Sequence, residues 1–295
     1  MYHAFISLIV SLVNCIFLFQ SSDFSKVENV NFGKLKDSLE TPVLKMLWRT
    51  DAVFKTPESA LFDVERNVIY VSNLNENPRE KDGNGFISKV GKDGKNIEVE
   101  WVTGLSSPKG MGLLNNLLFV ADIDEVVVID VDKGKITARY NYPDAAMLND
   151  ISIDANGTVW MTDMDAGTIC FLNKGKIEKW HLGLDRPNGI FVEENRILIA
   201  SFDGKFTAYD RSSKKATVLG TGIGKGDGIE KTKSGAYLIS DWDGEIFWGD
   251  EGMVTSILST EKENVQSADI GLIADENILL VPTFLDNRLV AYTIN

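Results

Sequence analysis

Four side chains that carry oxygen stand immediately before apolar stretches of this chain. They are Glu58 in "PESALFD", Asn149 in "LNDISID", Asn188 in "PNGIFV" and Asp227 in "GDGIEK". Carboxylate and amide oxygens suit a hard cation such as Ca²⁺, and two carboxylates with two amides match the charge of a divalent ion. If folding brings the four openings to one point, they predict a divalent-cation site. The residue types do not separate Ca²⁺ from Mn²⁺ or Mg²⁺.

These openings belong to a repeat that runs through the chain. Each copy reads as a polar opening and three apolar strands separated by polar turns, followed by a fourth strand such as "ITARYN". The steps between successive openings are 51, 40, 39, 39 and 42 residues, and the first copy carries an insertion at residues 75–84. The aligned openings are Glu58, Lys109, Asn149, Asn188, Asp227 and Asp269. A period near 40 residues predicts an all-β fold, a six-bladed β-propeller.

The segment "VLKMLWRT", residues 43–50, resembles the fourth strands but precedes the first copy. We expect it to form the outer strand of the last blade, so that the N-terminal and C-terminal strands pair and close a ring over residues 43–295. The alternative is a set of separate antiparallel sheets. Because a closed ring needs no partner for stability, we expect a monomer.

The N-terminal segment differs from the repeats. Residues 4–19, "AFISLIVSLVNCIFLF", are nearly all apolar, which predicts a signal peptide or an uncleaved hydrophobic anchor over residues 1–22. Residues 23–42 would lead into the propeller. We therefore expect a secreted or periplasmic protein with no membrane contact beyond that anchor. The one cysteine after this segment, Cys170, has no partner for a disulfide framework.

The composition narrows the class of ligand. A net charge of −13 disfavours nucleic acid, which is usually bound by a basic face. The zinc-protease and serine-hydrolase motifs are missing from the sequence, and "GTGIGKGDG" departs from the spacing of a phosphate loop. We expect a small-molecule substrate.

The propeller prediction gives the openings a common position, because the first strand of every blade faces the central channel. Asn149 would face the axis, and Asp150 would point the other way and bind backbone groups at the turn. Lys109 and Asp269 fill turns or the channel, or else contact substrate. Three aspartates of Asp-x-Asp turns either stabilise the hairpin turns or ring the channel mouth and attract cations. These aspartates are Asp122, Asp163 and Asp241.

The openings resemble those of the senescence-marker-protein, gluconolactonase and luciferin-regenerating-enzyme family. The resemblance rests on "TPESALFD", "LNDISIDANG", "RPNGIFV" and "GDGIEKTKSG" within residues 43–295. It implies a six-bladed propeller with one catalytic divalent ion in the channel, held by Glu58, Asn188 and Asp227. Asn149 would bind the ion directly or through water and touch the substrate, and Asp227 would also be the general base.

The chain departs from this family at the position two residues before Asn149. Sugar-lactonase members carry a substrate-binding Arg there, and this chain has Met147. The function we expect is a Ca²⁺-dependent hydrolase of a lactone or related ester, with Asp227 as the catalytic base. The rival is a non-catalytic secreted propeller that binds a ligand or a protein.

Overall fold

The computed structural model describes residues 41–250 and 252–295. These residues form six antiparallel sheets of four strands each, arranged as the blades of a propeller. The predicted all-β six-bladed fold is confirmed. The predicted signal peptide or anchor at residues 1–22, and the leader up to residue 40, lie outside the described residues.

Blades 1 to 5 each run outward from the channel in chain order. Blade 1 consists of β2 (Pro57–Asp63), β3 (Val68–Asn73), β4 (Gly85–Gly91) and β5 (Glu98–Leu105). Blade 2 consists of β6 (Pro108–Leu114), β7 (Leu117–Asp122), β8 (Glu125–Asp130) and β9 (Lys135–Asn141). Blade 3 consists of β10 (Leu148–Ile153), β11 (Val159–Asp163), β12 (Thr168–Asn173) and β13 (Lys176–Leu182). Blade 4 consists of β14 (Pro187–Val192), β15 (Arg196–Ser201), β16 (Lys205–Asp210) and β17 (Ala216–Thr221). Blade 5 consists of β18 (Gly226–Lys231), β19 (Tyr237–Asp241), β20 (Glu245–Asp250) and β21 (Met253–Ser259).

Blade 6 joins the two ends of the described chain. Its strands are β22 (Gly271–Ile273), β23 (Ile278–Pro282), β24 (Leu289–Ile294) and, outermost, β1 (Leu44–Arg49). Strand β1 pairs antiparallel with β24, and Val43 and Asn295 extend the ladder with two backbone hydrogen bonds. The predicted closure by the two terminal strands is therefore confirmed.

Apolar side chains fill the space between blades. Each of six buried clusters combines residues from two neighbouring blades, and the cluster between blades 6 and 1 includes Leu280 and Val71. Full burial of a Leu or Ile side chain contributes about 1.5–3 kcal/mol. Six such interfaces hold the innermost strands in a ring, which leaves the strand ends free to carry polar groups.

Helical structure is sparse in residues 41–250 and 252–295. The two 3₁₀ helices there are Glu261–Glu263 and Phe284–Asp286. Across the same residues, the search for a helix long and apolar enough to cross a membrane found none.

Candidate metal centre at the channel mouth

A β-bulge opens the innermost strand in five of the six blades. In blade 1, Pro57 pairs with Asn73 and Ala60 with Val71, so that Glu58 and Ser59 together oppose the single residue Ser72. The same shift recurs in the next four blades. A bulge breaks the regular alternation of side chains and redirects them. The first bulge residues are Glu58, Lys109, Asn149, Asn188 and Asp227, which are five of the six predicted openings.

Hydroxyl groups on the second strand hold three of these bulges in place. The backbone N–H groups of Ser59, Asp150 and Gly228 donate hydrogen bonds to the side-chain oxygens opposite them, at 2.8–3.1 Å. The acceptors are Ser72, Thr162 and Ser240. The extra residue of a bulge loses its ladder partner, and here a side chain supplies a replacement.

Two glycines let the innermost strands approach closely beside the openings. A Cβ at Gly189 would lie 1.6 Å from the backbone oxygen of Asp227, and one at Gly228 would lie 2.3 Å from Oδ1 of Asp269. Any other residue at these positions would push the neighbouring strands apart. In each "NG" or "DG" pair of the sequence, the first residue carries the polar side chain. The glycine after it allows the neighbouring strands to pack closely.

The three aspartates of the Asp-x-Asp turns fix the loops before the openings. The buried carboxylate of Asp122 accepts hydrogen bonds from the N–H groups of Ser106 and Ser107. Asp163 and Asp241 do the same for Met147 and Lys225, which precede Asn149 and Asp227 by two residues. These contacts indicate that the three aspartates stabilise the turns and loops, rather than forming an exposed ring that attracts cations.

The openings converge on a cavity of about 420 Å³ at the channel mouth. Glu58, Lys109, Asn149, Asn188 and Asp227 all line it. The four predicted ligands thus come from blades 1, 3, 4 and 5 and line the same cavity. Each of these residues is at most 6% exposed.

Asp269 is placed differently from the other five openings. Strand β22 begins only at Gly271, and Asp269 joins Ser59 through a single parallel bridge. Its carboxylate lines a second cavity further along the channel, where Ser59 Oγ donates to it at 2.5 Å. The predicted contact between Asp269 and a ligand at the mouth has no support in this position, because its carboxylate lines the other cavity and accepts the Ser59 hydroxyl there.

Three oxygens of the mouth have no hydrogen-bond partner although they are buried. They are Glu58 Oε2, Asn188 Oδ1 and Asp227 Oδ1. Asn188 donates its amide nitrogen to the backbone oxygen of Gly226 at 3.3 Å, which fixes its orientation and leaves the carbonyl oxygen available. Unpaired buried acceptors are costly and rare, and they fit a missing cationic partner. The donor set is thus suited to a hard divalent ion.

Burial and mutual repulsion disfavour the ionised forms of the two acids at the mouth. Burial raises the pKa of Glu58 well above its usual range, and the charges of Asp227 and Asp269 add to this rise. Burial likewise raises the pKa of Asp227, followed by the charges of Asp269 and Asp241. Two carboxylates in a shared, poorly solvated space repel each other unless a cation or protons neutralise them.

Lys109 does not offer its ammonium group to the open cavity. Its Nζ donates to the backbone oxygens of Ser107 and Pro78, at 2.9 and 3.0 Å, and to Ser107 Oγ at 3.2 Å. Three donors therefore meet three oxygens, and burial lowers the pKa of Lys109 to about 8. The predicted substrate contact is replaced by a link to Pro78 in the inserted segment, residues 75–84.

Other residues that line the mouth were not among the sequence-predicted site. Three are basic, Arg79, Arg186 and Lys225, and a larger group is apolar. The apolar lining consists of Leu74, Pro78, Met147, Met164, Phe202, Trp242 and Phe284. A sequence signal existed for two of them, because Arg186 and Lys225 stand two residues before an opening, as Met147 does.

A second set of acids lines the other cavity, which has a volume of about 230 Å³. Asp150 accepts hydrogen bonds from the N–H groups of Ile151 and Ile190, at 2.6 and 2.7 Å. It therefore binds backbone as predicted, but in strands β10 and β14 rather than at a turn. Burial raises the pKa of Asp269 to about 7 and, with the charge of Asp269, that of Glu230 to about 8. We call Asp150, Glu230 and Asp269 the inner acids.

A third acidic group lies on blade 5, outside both cavities. Oxygens of Asp241, Glu245 and Glu261 lie within 4.8 Å of one another, which is close enough for a metal ion. Asp241 already accepts hydrogen bonds from the backbone N–H groups of Lys225 and Asp243, and Glu245 accepts one from the hydroxyl of Ser256. Asp241 was expected at a turn, and the sequence predicted no role for Glu245 or Glu261.

Comparison with known proteins adds evidence on the fold. No protein-family model matches the chain, and no curated protein matches it. Solved structures do match. A gluconolactonase from Xanthomonas campestris has a TM-score of 0.67 at 15% identity, over 82% of this chain and 87% of that one. A luciferin-regenerating enzyme has a TM-score of 0.64 at 14% identity, over 85% and 95%.

A third structure shows that the fold alone does not fix the reaction. A streptogramin B lyase has a TM-score of 0.58 at 14% identity, over 82% of this chain and 94% of that one. Identities this low establish a shared architecture and leave the chemistry to the residues of each site. The described residues of this chain form six blades, and the chain shares its overall fold with these gluconolactonase, luciferin-regenerating-enzyme and lyase structures.

Proposed function

We propose that the protein is a divalent-cation-dependent hydrolase of a lactone or a related ester. The observation that carries this proposal is the set of three buried, unpartnered oxygens on Glu58, Asn188 and Asp227 around one cavity. Similar folds in a gluconolactonase and a luciferin-regenerating enzyme support it.

Glu58, Asn149, Asn188 and Asp227 would hold the cation, with Ca²⁺ as the first choice. When bound, a divalent cation supplies Lewis-acid polarisation of a carbonyl and neutralises negative charge that develops on its oxygen. The bulges and the glycine pairs hold these side chains before any ligand arrives, so little reorganisation is needed.

Asp227 would act as the general base. Its carboxylate would accept a proton from the attacking water as the water oxygen bonds to the carbonyl carbon. The bond between that carbon and the ring oxygen would then break. Asp227 would return the proton to the departing oxygen, so that one lactone and one water give one hydroxy acid.

Asn149 would orient the substrate carbonyl beside the cation. Its amide nitrogen lies 3.5 Å from the sulfur of Met164, a weak acceptor that a ligand oxygen can replace. The apolar lining near Met164 would exclude water from the rest of the cavity, and this strengthens the electrostatic interactions within it.

The test is a screen of γ- and δ-lactones by pH-stat titration with Ca²⁺, with a chelator, and with Ca²⁺ restored. We expect hydrolysis that the chelator abolishes and Ca²⁺ restores. Hydrolysis that a chelator leaves unchanged would contradict the proposal. A cation-loaded protein that binds lactones in calorimetry but hydrolyses none would favour the non-catalytic binding propeller.

A further inference from the structure

The inserted segment, residues 75–84, reaches from blade 1 across blades 2 and 3 at the channel mouth. Lys81 pairs with Asp124 in blade 2 at 2.5 Å, and Arg79 pairs with Asp165 in blade 3 at 3.1 Å. The buried ammonium of Lys109 holds the backbone oxygen of Pro78. Three contacts to two other blades fix the segment beside the mouth, where it forms part of the cavity wall.

Arg79 lies against the residue at which this chain departs from the sugar lactonases. Its Nη1 is 3.1 Å from the sulfur of Met147, two residues before Asn149. The guanidinium group therefore reaches the start of β10 from a different part of the chain. A thioether is a weak acceptor, and the Arg79 side chain is 54% exposed, so donors remain for a ligand.

Basic side chains outnumber acidic ones in the lining of the mouth. The chain has a net charge of −13, yet the mouth is lined by four basic residues and two acidic ones. A divalent cation would neutralise the two acids, Glu58 and Asp227. Arg79, Arg186 and Lys225 are each paired with one carboxylate outside the lining. The pair of Arg79 with Asp165 is partly exposed, and such pairs are weak, so a ligand anion can compete for Arg79.

The side of the mouth formed by blades 4 to 6 is aromatic. The Arg186 guanidinium lies 5.2 Å from the ring of Phe202, and Lys225 Nζ lies 5.2 Å from the ring of Trp242. Phe284 stacks edge-on against Trp242 at 5.5 Å. Rings of this size bind apolar groups through contact area.

We propose that Arg79 binds a carboxylate of the substrate, and that the substrate is a lactone or ester carrying both a carboxylate and an apolar group. A planar guanidinium binds a carboxylate through two parallel hydrogen bonds, which an ammonium group cannot reproduce. The apolar group would lie on Phe202, Trp242 and Phe284. The assignment rests on the proposed function for the identity of the reacting group.

The test compares two lactones that differ only in the carboxylate: γ-phenyl-γ-butyrolactone and its β-carboxylate, phenylparaconate. Both are measured with wild-type protein, Arg79→Gln, Arg79→Lys and Arg139→Gln in the presence of Ca²⁺. Arg139 is the matched control, since it is an ion-paired arginine on β9 and does not line the mouth. If the lactones are hydrolysed, the ratio of kcat/KM is the readout. If they are not, the ratio of Kd from calorimetry replaces it.

We expect wild-type protein and Arg139→Gln to favour phenylparaconate by about tenfold or more, and Arg79→Gln to remove that preference. Arg79→Lys should keep part of it, and the neutral lactone should be affected little by either change. The proposal is overturned if wild-type protein shows no preference, if Arg79→Gln retains it, or if neither lactone binds. Absence of hydrolysis together with an Arg79-dependent binding preference would reject the hydrolase and keep the carboxylate site.

Discussion

Two sets of acids occupy the same channel and differ in how their oxygens are satisfied. At the mouth, Glu58 and Asp227 each have a buried oxygen without a partner. Among the inner acids, Asp150 accepts two backbone N–H groups, and Asp269 accepts the hydroxyl of Ser59. Protein groups donate hydrogen bonds to Asp150 and Asp269, whereas Glu58 and Asp227 each keep an oxygen that a bound cation would satisfy. Acidity and burial alone therefore do not identify a ligand site. The unpaired oxygens distinguish the mouth acids from the inner acids.

The largest expected effect comes from removing a carboxylate of the mouth. Asp227→Asn should lower kcat/KM for lactone hydrolysis by about 10³-fold or more, because it removes the base and weakens the cation site. The matched control is Glu230→Gln, which removes a carboxylate of the inner set and should leave kcat/KM within about threefold, as expected of a group outside the reaction. Equal losses in the two variants would abolish the distinction between the sets.

The effect of Ca²⁺ on thermal stability should follow the same division. An ion that binds only the folded state should raise the Tm by roughly 5–10 °C at about 100 times its Kd. Glu58→Gln should lose most of this shift in a thermal scan, and Glu230→Gln should keep it. A full shift in Glu58→Gln would mean that the stabilising ion binds elsewhere. The acidic group of Asp241, Glu245 and Glu261 would then be the alternative site.

The Lys109→Met variant tests whether Lys109 holds the inserted segment at the mouth. Lys109→Met removes the donor to Pro78, so amide hydrogen exchange in residues 76–83 should accelerate by about tenfold, as the segment opens more often. Lys233→Met is a matched control, because Lys233 pairs with Asp275 and lines neither channel cavity. Unchanged exchange after Lys109→Met would show that the two ion pairs of Arg79 and Lys81 suffice.

The smallest effect concerns the inner acids and pH. Because the pKa of Glu230 is raised to about 8, the folded protein keeps a proton that the unfolded chain has lost above its ordinary pKa of 4.5. Folding therefore takes up a proton in this window, and the stability contributed by the group falls as pH rises through it. Glu230→Gln removes that dependence. The Tm of the variant relative to wild type should increase by a few degrees between pH 5 and pH 9, and a constant difference would contradict the assigned burial.

The repeat made most of the architecture predictable. Openings about 40 residues apart placed Glu58, Asn149, Asn188 and Asp227 at equivalent points of successive blades, and equivalent points of a propeller meet at the channel mouth. The period holds because every blade needs the same four strands and the same apolar faces.

The parts that could not be predicted are those that leave the repeat. Arg79 lies in an insertion without a counterpart in other blades, so alignment gives it no position. Asp269 aligns with the other openings, but β22 begins two residues after it and its carboxylate lines the second cavity, which the sequence does not reveal. Lys109 aligned correctly, yet its donors are used by Ser107 and Pro78 rather than by a ligand.

A calorimetric titration of metal-free protein with Ca²⁺ tests the central claim most directly, with wild type, Glu58→Gln and Glu230→Gln compared at one pH and salt concentration. The mouth site predicts one ion per chain in wild type and Glu230→Gln, and an affinity weakened by about 100-fold in Glu58→Gln, since a carboxylate ligand is lost. Equal affinity in wild type and Glu58→Gln, or binding that fails in Glu230→Gln alone, would contradict a cation site at the mouth.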